Sequence, residues 1–356
     1  MALLTLADFE TEAEARLPPA IFAYLAGGAG DERSLRANTA AWARIGLMPR
    51  HLRPVAGGSA AVSLLGQRLA FPALVAPMAF QRLACPEGER GMARAAAAQG
   101  IGMVLSCQTS VAPEALATIP GPRWFQLYLR PDWSETRALA ARALAAGASV
   151  LVVTVDAPLN GLRDREQRAG FALPADVRPV MLDALPPAPP LPEGESLVFD
   201  RLMALAPGWQ DLARLCAESP VPVLAKGVLC PADAQVAVAA GCAGVIVSNH
   251  GGRVLDDTPA PASVLSAIRA ALPDRPVLVD GGIRRGGDIF KALALGADAV
   301  LLGRPALWGL AVGGAAGASQ VLRRLRDEFE VTMALCGCAT RAEIGPDRLV
   351  LPAGSQ

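Results

Sequence analysis

The sequence contains very few histidines, lysines and tyrosines. Among 356 residues and 33 basic side chains, these three types occur only at His51, His250, Lys226, Lys291, Tyr24 and Tyr128. Few positions can therefore supply a base that titrates near neutral pH or a phenol that holds a ligand. A rare residue type that falls in a chemically suggestive place is less often there by coincidence.

The sequence also lacks net charge and any long hydrophobic run. Its 33 basic residues balance 33 acidic ones, which gives no reason to expect nucleic acid or an anionic membrane surface as a partner. No apolar run approaches the ~20 residues of an integral membrane span. The acidic, amphipathic residues 1–17 are unlike a secretory signal. With 52% hydrophobic residues available for a large core, the composition predicts a cytoplasmic enzyme.

Cysteine is scattered rather than patterned. Of the seven cysteines, only Cys336 and Cys338 are close in sequence, and no second Cys or His pair stands near them to complete a zinc site. We therefore expect buried, reduced thiols and no metal site.

One short stretch, residues 248–253, combines several features of a reactive site. It follows the apolar run 243–247, as a loop at the end of a buried strand would. His250 is a candidate base, and Arg253 can hold a carboxylate through two parallel hydrogen bonds. Taken alone, the stretch is equally compatible with a turn that carries a solvated His and Arg.

From residue 72 onward, strand-like runs alternate with helical stretches. The strand-like runs are Ala73–Pro77, Gly102–Ser106, Trp124–Leu129, Ser149–Asp156, Val221–Val228, Ala243–His250, Pro276–Gly282 and Ala299–Arg304. They are rich in Val, Leu and Ile with little alternation, which is typical of parallel strands buried on both faces. Eight such units predict an α/β fold, the (β/α)8 or TIM barrel. An open doubly wound sheet is the alternative, although the dinucleotide-binding glycine pattern is absent.

The remaining segments frame this barrel within a single domain. We predict that residues 1–70 form a helical cover with short helices over 5–17 and 18–26. Residues 71–345 are predicted to form the barrel. Residues 157–207 interrupt the alternation, so we expect a lid or loop insertion there. Its proline-rich run at 186–192 and its mixed charges predict mobility across 164–205.

The ends of the predicted strands collect polar and glycine residues. In such a barrel the carboxyl ends of the strands share one face, and that face carries the active site. Two pieces there suit a phosphate, residues 280–287 and Gly303-Arg304, because they offer backbone N–H groups and arginines after the last two strands. The alternative is ordinary glycine turns with solvated arginines.

Together these motifs resemble the flavin-mononucleotide-dependent α-hydroxy-acid oxidases and dehydrogenases, the group of glycolate oxidase, lactate oxidase and mandelate dehydrogenase. The matching stretches are SNHGGRVLD (248–256), VDGGIRRGGD (279–288), KALALGADAVLLGRP (291–305), FQLY (125–128), PEGE (86–89) and LAGGAGDE (25–32). The resemblance covers about residues 5–345 and is weak only across 164–207. It implies FMN as cofactor and oxidation of an (S)-2-hydroxy acid to the 2-keto acid.

The resemblance also implies a role for each matching position. His250 would be the base, Asp156 would orient it, and Lys226 would lie near the flavin N1 and C2 oxygen. The catalytic set would be His250, Asp156, Tyr128, Tyr24 and Lys226, and the substrate-binding set Arg163, Arg253, Tyr24 and Tyr128. The FMN-binding set would be Pro77, Ala79, Ser106, Gln126, Thr154, Lys226, Ser248, Asp280, Gly282, Arg284, Gly303 and Arg304.

Several properties stay open at the level of sequence. The electron acceptor is O2 or a quinone or protein, and family resemblance implies a homo-oligomer, a tetramer or octamer. Residues 106–109 replace a tryptophan of glycolate oxidase, which predicts a substrate pocket for larger acids such as mandelate. The alternatives are another FMN barrel chemistry, as in isopentenyl-diphosphate isomerases, and a non-catalytic barrel used as a binding module.

Overall fold

Eight parallel strands close into a barrel. The computed structural model describes residues 3–182 and 190–352. The barrel strands are β1 (Ala73–Val75), β2 (Gly102–Ser106), β3 (Arg123–Leu127), β4 (Val150–Thr154), β5 (Val223–Val228), β6 (Gly244–Val247), β7 (Val277–Val279) and β8 (Ala299–Leu302). Neighbours in sequence pair in parallel, and β8 pairs with β1 to complete the ring. The predicted (β/α)8 fold is confirmed, and the open sheet is excluded.

Helices surround the barrel. They are α1 (Leu6–Arg16), α2 (Pro19–Ala26), α3 (Arg33–Arg44), α4 (Gly88–Ala98), α5 (Trp133–Ala145), α6 (Asp164–Arg168), α7 (Trp209–Glu218), α8 (Pro231–Ala239), α9 (Pro261–Ala271), α10 (Gly286–Ala294) and α11 (Arg304–Leu335). Several begin with proline, as at Pro231 and Pro261, where a missing N–H is not needed. The alternation is imperfect, since only a 3₁₀ turn, Pro113–Leu116, follows β2. No helix within residues 3–182 and 190–352 combines the length and apolar character needed to cross a bilayer.

The strands are shorter than the sequence predicts, chiefly at their carboxyl ends. The run predicted as Ala243–His250 is a strand only over Gly244–Val247, and His250 has a left-handed φ of 56°. Strands of a barrel splay apart at the rim, so the chain leaves the ladder before the polar residues are reached. These residues therefore stand on loops that rise above the barrel.

A β-hairpin covers the opposite, amino-terminal end of the barrel. Val62–Leu64 pairs with Gln67–Leu69, and its Leu64 and Leu69 join the apolar cluster inside the barrel. The sequence predicted only helix and connections across 31–70. The hairpin escaped prediction because its turn, Leu65-Gly66, has both φ angles positive without the Asn or Asp that usually marks such a turn.

The insertion, residues 157–207, packs more closely than its composition predicted. Phe171 stacks on Tyr24 with ring centroids 4.3 Å apart, and Val177 and Met181 are buried. The mobility expected across 164–205 stays a prediction, but the first part of this range packs against the rest of the structure. Farther along, the π-helical turn Leu197–Leu202 is largely exposed. Most of the proline-rich run 186–192 lies outside the described residues.

The contrast within the insertion predicts where proteases act. We expect limited proteolysis to cut within 190–207, whose side chains are largely solvated, and to spare 171–181, which packs against the barrel. Cleavage sites mapped by mass spectrometry on the holoenzyme check this. First cuts within 171–181, or amide exchange across 190–207 as slow as in β4, would contradict it.

Candidate active site

Polar side chains form the uppermost layer of the barrel interior. Every second side chain of a strand points inward, and the lower inward residues of β5, β6 and β7 are apolar: Leu224, Ile246 and Leu278. Two positions farther along lie Lys226, Ser248 and Asp280. The same alternation that packs the core therefore turns these polar groups toward one point above it.

A cavity of about 300 Å³ lies at this layer. Predicted site residues that line it are Tyr24, Pro77, Ala79, Ser106, Gln126, Tyr128, Thr154, Arg163, Lys226, His250, Arg253, Asp280, Gly282, Arg284, Gly303 and Arg304. Asp156 and Ser248 do not line it, but each hydrogen-bonds a residue that does. The structure thus brings together residues from strand ends throughout the barrel, while their chemical roles stay predictions.

Lys226 carries a buried positive charge into the cavity. Its Nζ lies 3.0 Å from Asp280 Oδ2 and donates to Ser248 Oγ, also at 3.0 Å. Burial disfavours the charged amine, but the carboxylates of Asp280 and Asp156 outweigh this effect and raise the pKa of Lys226. Lys226 therefore stays protonated and fixed in position.

His250 and Asp156 form the second polar pair. His250 Nδ1 lies 2.9 Å from Asp156 Oδ1, and an ionised carboxylate only accepts, so Nδ1 carries the hydrogen and Nε2 keeps its lone pair. Burial lowers the pKa of His250 despite the neighbouring Asp156. Burial also opposes ionisation of Asp156, but the hydrogen bond from His250 and the nearby charges leave the pKa of Asp156 below its usual value. A neutral imidazole beside a carboxylate is the resting form of a general base.

Gly227 makes room for Asp156, and sequence reasoning missed it. Its φ is +112°, and a Cβ placed there would lie 2.5 Å from both Cβ and Cγ of Asp156. No L-residue could share this space unless Asp156 moved. The only sequence signal was a glycine interrupting an apolar strand, which indicates close approach of another group.

Two arginines stand at the outer end of the cavity. Arg253 Nη1 donates to the carbonyl oxygens of Tyr24 and Gly27 at 2.8 and 2.7 Å, and the guanidinium lies over the Tyr24 ring. Burial and the neighbouring Arg163 lower the pKa of Arg253 to about 10, so it stays cationic at neutral pH. Arg163 pairs with Glu166 at 3.2 Å. The pair forms a cationic rim suited to a carboxylate.

Sequence reasoning also missed several residues around this rim. Phe80 and Phe171 flank the Tyr24 ring, and Glu166 lines the cavity. These three residues lie on loops or on the short α6, where no periodic pattern indicates which way a side chain points. Tyr24 is buried among these side chains, and desolvation raises its pKa. Its phenol therefore remains a neutral hydrogen-bond donor.

The opposite end of the cavity holds the predicted phosphate residues. Arg284 Nη1 donates to the adjacent carbonyl oxygen of Ile283, and its backbone N–H donates to Asp288 Oδ2. Arg304 is more constrained, because it donates to the carbonyl oxygens of Leu25, Gly251 and Gly27. Burial lowers the pKa of both arginines. Arg304 therefore also ties the end of α2 to the barrel, a contact that the sequence did not predict.

Unpaired polar atoms between the two ends suit a flavin. Gln126 Nε2 and Asp280 Oδ1 are buried with no hydrogen-bond partner among the residues that the structure describes, and both residues line the cavity beside the charged Lys226. Buried polar atoms without partners are rare in folded proteins. A donor, an acceptor and a cation arranged in this way match the carbonyl, hydroxyl and electron-rich groups of FMN.

Comparison with known proteins decides the family. The sequence model of the FMN-dependent dehydrogenases matches residues 13–351. The chain belongs to this family. Its cofactor is FMN and it is an oxidoreductase, which confirms the resemblance seen in the sequence.

Its relatives cover almost the whole chain. An L-lactate oxidase of Roseobacter sp. strain GAI101 is 60% identical across 97% of this chain and 94% of its own length. The 4-hydroxymandelate oxidase of Amycolatopsis orientalis is 44% identical across 95% and 96%. A solved structure of mandelate oxidase with (S)-2-phenylpropionate superposes with a TM-score of 0.89 at 41% identity, covering 98% of each chain.

The contact between Gly227 and Asp156 predicts a selective defect. Gly227→Ala should displace Asp156 and slow substrate-dependent bleaching of the flavin at least ~10-fold, because the imidazole loses its orienting partner. Displacing Asp156 also weakens its hydrogen bond to His250 and its electrostatic attraction, both of which raise the pKa of His250. The acid limb of the rate–pH profile should therefore shift to lower pH. Stopped-flow absorbance across a pH series measures both.

Gly66→Ala is the matched control. Gly66 also has a positive φ, of 75°, but no atom in the described part of the chain lies within 4 Å of the added methyl. Both variants carry backbone strain, so equal effects on rate and pH profile would refute the positioning role of Gly227.

Proposed function

We propose that the enzyme oxidises an (S)-2-hydroxy acid to the 2-keto acid with FMN as electron acceptor, and that O2 reoxidises the flavin. One observation carries the proposal. A neutral His250, held by Asp156 through Nδ1, faces the same cavity as the guanidiniums of Arg163 and Arg253. A base beside an anion clamp suits a substrate that carries a carboxylate next to a carbon bearing a hydroxyl.

Binding would begin with the carboxylate. Arg253 and Arg163 would hold it through charge-assisted hydrogen bonds, which fix orientation as well as position. Glu166 pairs with Arg163 in this structure, so the incoming carboxylate would replace one anion by another. The neutral phenols of Tyr24 and Tyr128 would donate to the bound acid.

Chemistry would then depend on His250. Its Nε2 would accept a proton from the substrate as the carbon–oxygen bond becomes a carbonyl, and Asp156 would stabilise the resulting imidazolium. Bound FMN supplies the acceptor for the two electrons that leave the substrate. Lys226 would hold a positive charge at the barrel centre, where negative charge accumulates during this transfer. Arg284, Gly303 and Arg304 would hold the phosphate end of FMN.

Two observations support this function over the alternatives. Three relatives are named as oxidases, of L-lactate, 4-hydroxymandelate and glycolate. These names favour O2 over a quinone or protein as the electron acceptor. A binding module would have no need of a buried His–Asp pair.

Three variants separate binding from proton transfer. His250→Asn should keep FMN and nearly the wild-type Kd for a hydroxy acid, yet slow anaerobic bleaching by ~10²–10⁴-fold, because only the base is lost. Arg253→Met should weaken binding as well, and Lys226→Met should slow bleaching through loss of the central charge. Anaerobic stopped-flow with substrate titration measures all three.

Wild-type bleaching in His250→Asn would remove the base from the proposal. Failure of air to restore the yellow colour and generate H2O2 in the wild-type enzyme would replace O2 by another acceptor.

We further propose that the substrate is larger than glycolate. Gln108 lines the cavity and belongs to residues 106–109, which the sequence resemblance sets against a tryptophan of glycolate oxidase. Cys107 is buried. The wall there is therefore formed by smaller side chains than an indole.

The small side chains of this wall predict how kcat/KM ranks among hydroxy acids of different size. Both L-lactate and (S)-mandelate should exceed glycolate in kcat/KM, since each added apolar group in a fitting pocket contributes about 1–3 kcal/mol. Oxygen uptake with the three acids measures this. Gln108→Trp should lower the value for mandelate more than that for glycolate, and a glycolate preference in the wild-type enzyme would refute the size argument.

A further inference from the structure

Two thiols touch at the amino-terminal end of the barrel, away from the active site. Cys216 lies on α7, which leads into β5, and Cys242 lies in the turn between α8 and β6. Their sulfurs are 3.8 Å apart, and both are reduced. Since a disulfide bond is about 2.05 Å long, a side-chain movement of roughly 2 Å would bring the sulfurs to bonding distance.

The backbone is shaped to allow this contact. Gly241, next to Cys242, has a φ of +99°, and a Cβ placed there would lie 2.9 Å from the Cβ of Cys216. The turn therefore approaches α7 as closely as glycine permits. This proximity is a feature of the backbone and does not depend on one rotamer.

The two thiols have unequal environments. Cys242 is buried, whereas Cys216 is partly exposed, so a small oxidant reaches Cys216 first. The hydrogen bond between the thiols lowers the pKa of Cys216, and the same bond together with burial raises the pKa of Cys242. Because thiolates are the reactive form, the more exposed Cys216 is the better candidate for the nucleophile, and Cys242 for the resolving thiol. The expectation that all thiols are buried is wrong for the partly exposed Cys85 and Cys216 and for the exposed Cys230.

We propose that Cys216 and Cys242 form a peroxide-oxidised modification site that closes a disulfide between α7 and the α8–β6 turn. The Cys216 thiolate attacks one oxygen of H2O2, the O–O bond breaks, and a sulfenic acid and water result. The sulfur of Cys242, losing its proton, then attacks the Cys216 sulfur and releases a second water. Two thiols and one H2O2 thus give one disulfide and two waters.

The source of peroxide links this site to the enzyme's own chemistry. O2 reduction in the proposed function releases H2O2, so endogenous oxidation rests on that proposal, while reactivity toward added peroxide does not. The disulfide would close the chain segment that contains β5 and α8. Because it lies at the end of the barrel associated with stability and not catalysis, its effect would be on unfolding.

Mass spectrometry on the holoenzyme tests the proposal. After H2O2 treatment and alkylation, a peptide linking Cys216 to Cys242 should appear, and dithiothreitol should remove it. The oxidised enzyme should unfold roughly 5 °C higher than the reduced one, with kcat unchanged. Turnover in air with a hydroxy acid should produce the same link more slowly, and catalase should suppress it.

Single variants assign the two roles. Cys242→Ser should leave a Cys216 sulfenic acid that dimedone traps, and Cys216→Ser should leave Cys242 open to alkylation after unfolding. Cys230→Ser is the control, because it removes an exposed thiol outside the pair and should not affect the link. Full alkylation of both thiols in peroxide-treated wild-type enzyme, or a disulfide that involves Cys230, would overturn the proposal. A link formed by added peroxide but not in turnover would count against the proposed acceptor alone.

Discussion

The buried ion pair between Lys226 and Asp280 is the interaction on which the site depends. A charged amine inside a barrel is costly to desolvate unless an opposite charge and hydrogen bonds meet it. Here Asp280 supplies the charge and Ser248 the hydrogen bond, so three adjacent strands are joined at their upper ends. Ser248 Oγ also accepts from the backbone N–H of His250. The ion pair thus fixes the start of the loop that carries His250.

The backbone conformation of that loop determines where the His250 imidazole lies. His250, Gly251 and Gly252 all have positive φ angles, a conformation that is strained for histidine and easy for glycine. The bend turns the imidazole back over the barrel, where Asp156 receives its Nδ1–H. Strain at one residue is tolerated because the hydrogen bonds of Ser248 and Asp156 hold it from both sides.

The fold and the positions of most candidate site residues could be predicted from the sequence for one physical reason. Barrel strands repeat every two residues and their ends share one face, so the positions of Lys226, His250 and Asp280 followed from pattern alone. Features that depend on contacts between distant loops did not follow. The fit of Gly227 around Asp156, the stacking of Phe171 on Tyr24 and the contact of two thiols each join segments whose spacing in sequence carries no signal.

The end of α2 has a consequence for how the chain assembles during synthesis. Arg253 and Arg304 both donate to the carbonyl oxygen of Gly27, and Arg304 also reaches Leu25, 279 residues earlier in the chain. On the ribosome, these carbonyls emerge long before either arginine exists. These hydrogen bonds at the end of α2 therefore cannot form until the last barrel strand, β8, has been made, and water is the partner of these carbonyl oxygens before then.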